Sequence, residues 1–150
     1  MADYGTVLVG TDGSSTSFLA VDRAASIAAS FGARLLLVSS YHPQQGESVD
    51  RDADVLGAEA HLIRGSRPTD DILADAEDRA RKAGAKLIER VPVQGEPVAV
   101  LIRTAAEHQA DLIVVGNRGL NTLSGRILGS VPAAITHRAP CDVLVVHTTP

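Results

Sequence analysis

Short, continuous apolar runs alternate along this chain with longer stretches in which apolar residues return every three or four positions. The first run, YGTVLVG at 4–10, is rich in β-branched residues and stops at Gly10, which predicts a buried strand. Thr11-Asp12-Gly13-Ser14-Ser15 then offers turn residues and a choice of helix N-caps. Between 16 and 31, Phe18, Leu19, Val21, Ala24, Ala25, Ile27 and Ala28 fall on helical spacing, and Gly32 stands where a helix ends at its C′ position. ARLLLVSSY at 33–41 predicts a second strand that turns polar at Ser39-Ser40, as a buried parallel strand does at its C-terminal end.

Residues 42–67 break the rhythm: they are polar and charged, with Pro43, Gly46, Gly57 and Gly65 scattered through them. So long a connection in a compact domain reads either as a flap near the ligand edge of the sheet or as a tolerated insertion. The alternation then resumes. A charged helix at 68–84 buries Ile72, Leu73, Ala76 and Ala80; a third strand covers 86–93; a helix at 96–109 opens with Pro97 in its first turn. ADLIVVG is the fourth strand, a helix around 131–137 follows, and after Pro140 the run CDVLVVHT is the fifth. Five apolar strands separated by helices define one α/β domain over 1–150, a three-layer, doubly wound, Rossmann-like sheet of parallel strands in the order 3-2-1-4-5. Its crossovers are expected to be right-handed.

Composition narrows the function. The 150 residues are 45% hydrophobic with a net charge of −4 and no basic run, which argues against a nucleic-acid surface. No apolar run approaches the length of a membrane span, and the start MADYGTVLVG has no signal-peptide pattern, so a cytoplasmic location is expected. Aromatic residues make up only 3%, so base-stacking platforms are scarce. Cys141 is the single cysteine, His42, His61, His108, His137 and His147 are scattered, and no metal site is expected. The acidic residues of the 68–84 helix read as a solvated face.

The chemistry gathers in ADLIVVGNRGLNTLSGRILGS at 110–130. Glycines just past a strand let the backbone pass close to a ligand, and Ser130 before VPAAITHR reads as an N-cap whose helix amides form an anion site. Ligands of open α/β sheets bind where the strand order reverses, here between strands one and four. Those strands end in Gly10-Thr11-Asp12 and Gly116-Asn117-Arg118-Gly119. The amides of Gly119, Gly129 and Ser130, with the Ser130 hydroxyl, suit phosphate oxygens, and Arg118 adds charge if it turns inward. Asp12 suits a ribose hydroxyl or, through water, a magnesium ion on a triphosphate; its other reading is an N-cap for the first helix. Strand two offers backbone groups near Ser39-Ser40 to the polar edge of a ligand.

The pattern Gly-x2-Gly-x9-Gly-Ser, filled by Gly116, Gly119, Gly129 and Ser130, resembles the ATP-binding signature of the universal stress protein family. VLVGTDGS, LGSV and APCDVLVV extend the likeness over nearly the whole chain. The resemblance implies an adenine nucleotide alpha hydrolase-like fold and a ligand that is ATP, with magnesium, or cyclic AMP. It places adenosine and phosphate among Thr11, Asp12, Ser39, Gly116, Gly119, Gly129 and Ser130, to which Gly10, Ser40, Asn117, Arg118 and Val131 are added as neighbours. Asn117 stands where many members have serine. No P-loop is present and no motif supplies a poised base, so a cytosolic stress-signalling receptor or nucleotide buffer is favoured over a slow ATPase or an autophosphorylating protein. Strand five, 141–147, lies at a sheet edge without lysine or proline in its apolar core, and a homodimer through it is expected, as the resemblance also implies.

Overall fold

The computed structural model describes residues 3–42, 66–117 and 129–148. Its elements run β1 (Thr6–Gly10), α1 (Ser15–Phe31), β2 (Arg34–Tyr41), α2 (Ser66–Lys82), β3 (Leu87–Gln94), α3 (Pro97–Glu107), β4 (Leu112–Gly116), α4 (Ser130–Arg138) and β5 (Asp142–Val146). The sheet has the order β3-β2-β1-β4-β5 with every neighbouring pair parallel. Each expected strand is present, with ends that move by one or two residues. The expected flap at 42–67 lies outside the described residues, apart from His42 and the start of α2.

Two aliphatic layers hold the sheet. On one face Val7, Val9, Leu35, Leu37, Leu112 and Val114 pack against the alanine-rich stripe of α1 and against Leu73, Ala76 and Ala80 of α2. On the other, Leu8, Leu36, Val38, Ile113 and Val115 meet Val98, Val100, Leu101 and Ala105 of α3 and Ile135 of α4. Central strands buried on both faces need apolar residues at every position, which is why β1, β2 and β4 read as continuous runs. The small alanines of α1 let that helix sit close to the sheet, and Gly32, left-handed at φ 64° and ψ 30°, closes it with its N–H on Ala28 and Ala29.

The edge strands differ from these and from each other. β3 has only exposed and half-buried positions and carries Glu89, Arg90 and Pro92. Because the Gly95 N–H reaches the Tyr41 carbonyl, odd-numbered β3 residues direct their backbone at β2. The position that lacks an N–H, Pro92, therefore lies on the open side, where it discourages strand pairing. β5 has no such protection, and Val143, Leu144 and Val145 are only half-buried.

The sheet is also anchored at its opposite end. Asp111 Oδ2 accepts the Gly5 and Thr6 amides at 2.8 and 2.9 Å, and the Tyr4 hydroxyl donates to Asp142 at 3.0 Å. Across α1 and α2 the Arg79 guanidinium grips Asp22 through two nitrogens and lies over the Phe18 ring.

Candidate functional site

β1 and β4 stay paired only as far as Val9 and Val114. After that point β1 leads into α1 on one face of the sheet while β4 leads toward α4 on the other. The divergence opens a cleft over the C-terminal ends of the strands, on the side of α3 and α4. Gly10, Thr11, Asp12, Ser14, Thr16 and Ser17 form one wall and Val115, Gly116, Val131 and Pro132 another; Val38, Ser40, Pro97, Val100 and Leu101 complete it. Among these described lining residues Asp12 is the only charged one.

The wall after β1 is built by hydroxyls. The Gly13 N–H donates to Thr11 Oγ1 at 3.1 Å, and Thr11 Oγ1 lies 2.7 Å from Ser17 Oγ, which donates to the Ser14 carbonyl at 2.9 Å. With the Ser17 proton committed to that carbonyl, Thr11 is the donor to Ser17. The chain of bonds fixes the 11–14 turn and keeps Thr11 buried. Asp12 is exposed, and its Oδ1 accepts the Ser14 N–H at 2.9 Å, while Oδ2 has no partner among the described residues. The N-cap of α1 is Ser14, whose Oγ accepts from Ser17 N. The reading of Asp12 as N-cap is thereby corrected: the turn is one residue pair longer than that reading required.

Three helix N-termini come near the cleft, but their amides are not equally available. At α3 the Glu96 carboxylate accepts from Val98 and Ala99, so a fixed anion already occupies that end. At α4 the N-cap is Gly129, in extended backbone and with no side-chain bond. This corrects the expectation that Ser130 is the cap; Ser130 is instead the first helical residue and is exposed. The Gly129 amide is spent on the Asn117 carbonyl at 3.1 Å and Ala133 N bonds back to Gly129 O, while Pro132 has no N–H. The Ser130 and Val131 amides have no partner among the described residues. A helix end with unspent amides and a local positive potential is suited to an anion.

Between the two walls β2 outlasts β1. Thr11 N donates to Val38 O at 2.9 Å, which ends the β1–β2 ladder; by strand alternation the Ser40 N–H and C=O turn to the same side, past the end of β1. They find no backbone partner there among the described residues. Ser39 points the opposite way, onto the α1–α2 face with Leu35 and Leu37, and is 3% exposed. It is not a lining residue of the cleft.

The remaining expected residues divide accordingly. Gly10, Thr11, Asp12, Ser40, Gly116 and Val131 line the cleft; Gly129 and Ser130 stand at its α4 side; Arg118 and Gly119 lie outside the described residues. Asn117 Oδ1 accepts the Thr148 amide and hydroxyl at 2.8 and 3.0 Å. Sequence reasoning missed the apolar wall of Leu101 and Pro132 and the Thr11–Ser17 pair, for which a hydroxyl six residues after the strand end was the available signal. Cys141 is half-buried against the α4 side of the sheet, where burial first, then Asp142 and Asp111, push its thiol pKa up. Among the described residues no cluster of metal-ligating side chains occurs, and no helix is long and apolar enough to cross a membrane.

Such a chain is an open, doubly wound α/β protein with a mixed polar and apolar cleft at its switch point. Residues 3–147 match the profile of the Universal stress protein family, and the chain belongs to that family. A universal stress protein of Mycobacterium tuberculosis strain H37Rv is 52% identical over 149 residues, covering 99% of this chain and 100% of that one. A solved universal stress protein in complex with cAMP is 45% identical with a TM-score of 0.78, covering 99% and 100% of the two chains. The universal stress protein UspA from Lactobacillus plantarum is 25% identical with a TM-score of 0.74, over 97% and 99%.

Proposed function

We propose that the switch-point cleft binds an adenine nucleotide, ATP or cyclic AMP, and that the protein serves as a cytoplasmic receptor or buffer for it in stress signalling. The observation that carries this reading is the pair of amides at the start of α4 that have no partner among the described residues, set across the cleft from Asp12 and from a Ser40 backbone likewise without one on that side. The parts suit the parts of a nucleotide. Ser40 presents a donor and an acceptor to the amino and ring-nitrogen edge of adenine, and Val38, Leu101 and Val115 supply an apolar slot for the ring. Asp12 Oδ2 takes a ribose hydroxyl or hydrated magnesium, and Ser130 and Val131 take phosphate oxygens. The cAMP held by the 45% identical relative supports the ligand class.

Titration calorimetry of the purified protein with ATP, ADP, AMP and cyclic AMP, with and without magnesium, tests the reading while chromatography follows product. Binding in the micromolar range is expected, with magnesium affecting ATP and not cyclic AMP if Asp12 holds the ion. No binding of any of the four at about 1 mM, the weak limit of specific recognition, overturns it. Turnover above about one per minute, slow by enzyme standards, would transfer the protein to the enzyme class. The same reading includes a homodimer in which two copies pair their β5 strands antiparallel about a two-fold axis.

A further inference from the structure

Asn117 joins three segments that the chain itself keeps apart. Its N–H donates to the Val146 carbonyl at 2.8 Å, the last rung between β4 and β5, and its C=O accepts the Gly129 amide at 3.1 Å, where α4 begins. Its side-chain oxygen accepts both the amide and the hydroxyl of Thr148. Thr148 is 5% exposed and does not line the cleft. It fits because the facing residue is Gly116: a Cβ there would lie 3.2 Å from Thr148 Cγ2.

We propose that Asn117 is a positioning residue rather than a ligand contact, and that Asn117 and Thr148 together aim the N-terminus of α4 at the phosphate of a bound nucleotide. The side chain, tethered at two points, fixes the Asn117 backbone, and the fixed carbonyl in turn holds Gly129. Gly129 is the N-cap without a side chain of its own to brace it, so the bond from Asn117 helps to set the direction of the Ser130 and Val131 amides. An amide that must meet a phosphate oxygen within normal hydrogen-bond limits tolerates little misdirection. The inference rests on the adenine-nucleotide reading and adds to it the residue pair that orients its anion end.

Thr148→Val is the decisive variant, because it keeps the shape that packs on Gly116 and removes the hydroxyl; Asn117→Ala removes both bonds to Thr148. Adenosine and AMP are titrated into each, with folding checked by urea denaturation. AMP affinity is expected to fall about threefold for Thr148→Val and about tenfold for Asn117→Ala, the scale of one and two hydrogen bonds. Adenosine affinity should stay within about twofold, the size of an unperturbed site's scatter. Thr148→Ser, which retains the hydroxyl, should bind AMP as the wild type does, and the double variant should be no weaker than Asn117→Ala alone. In the Thr148→Val protein without ligand, the Gly129 amide should exchange with solvent faster than in the wild type. Wild-type AMP affinity together with unchanged Gly129 exchange in Thr148→Val overturns the proposal, as does equal loss of adenosine and AMP. A wild-type protein that binds neither ligand removes the nucleotide reading, and this inference with it.

Discussion

Gly13 sits between Asp12 and the α1 N-cap with φ +87°, and a Cβ built on it would lie 2.8 Å from Ile72 Cγ1 and 3.0 Å from Ile72 Cδ1. Gly13→Ala therefore meets two separate penalties. The left-handed backbone costs a residue with a Cβ about 1–2 kcal/mol. The contact with Ile72 involves a carbon next to the branch point of a β-branched side chain, which has few alternative rotamers, so relief requires α2 to move and adds roughly 1–3 kcal/mol. Loss of glycine's freedom in the unfolded chain returns about 0.4–1 kcal/mol. The net expectation is a destabilisation of about 2–4 kcal/mol, a large share of the roughly 5–15 kcal/mol available to a domain.

Equilibrium urea unfolding followed by circular dichroism measures it; with an m-value near 2 kcal/mol per molar, the midpoint should fall by about 1–2 M. Ile72→Ala separates the two penalties. In the Gly13→Ala/Ile72→Ala protein the contact penalty disappears while the backbone penalty remains, so the double variant should be less destabilised than the sum of the singles by about 1 kcal/mol or more. A Gly13→Ala cost under about 1 kcal/mol would refute both parts, and strict additivity would refute the contact with Ile72.

Ser39→Ala should stabilise the fold by about 1 kcal/mol, since it removes a buried hydroxyl with no partner among the described residues; a lower urea midpoint, or weaker nucleotide binding, would return Ser39 to the site. Cys141 should alkylate with iodoacetamide more slowly than free glutathione near pH 8 and accelerate toward higher pH, because its raised pKa keeps the thiolate scarce. A rate equal to glutathione's refutes that environment. At β5, the Val146 carbonyl faces β4 through Asn117, so Leu144 faces the same way and Val143 and Val145 face the open edge. Light scattering at tens of micromolar should show Val143→Pro and Val145→Pro shifted to monomer with the fold retained, whereas Leu144→Pro damages the β4–β5 ladder; a monomeric wild type, or dimers indifferent to both edge prolines, would eliminate the β5 interface.

Most of the architecture was legible because burial on both faces leaves an unmistakable mark. Runs such as LIVVG and RLLLV mark buried strands when helical stretches separate them, and the order 3-2-1-4-5, an expectation that five strands alone do not dictate, is the one observed. The same property hid the parity of β2. Leu35 and Leu37 face one helical layer, Leu36 and Val38 the other, so apolar residues at every position give no sign of which of Ser39 and Ser40 turns to the cleft. The start of α4 was misread for a different reason. A serine before a helix is a good local cap, but Gly129 is placed there by the carbonyl of Asn117, twelve residues earlier in the chain, and local spacing carries no trace of that bond.

The glycines at the strand ends make the same point about function. Each looks alike in sequence, a residue without a side chain next to a prospective ligand, yet the structure gives each a different partner. Gly10 accommodates Leu101, whose Cδ2 would lie 2.9 Å from an added Cβ, and Gly116 accommodates Thr148. Gly129 offers its amide to Asn117 and its carbonyl to Ala133. Two of these glycines, Gly10 and Gly116, thus face the protein's own side chains, and the amide and carbonyl of Gly129 are engaged within the main chain. Next along the chain, the Ser130 and Val131 amides have no partner among the described residues. A side chain added at Gly10 or Gly116 would press on Leu101 or Thr148 whether or not a ligand binds, so a substitution there reports on the site only when stability is measured beside affinity.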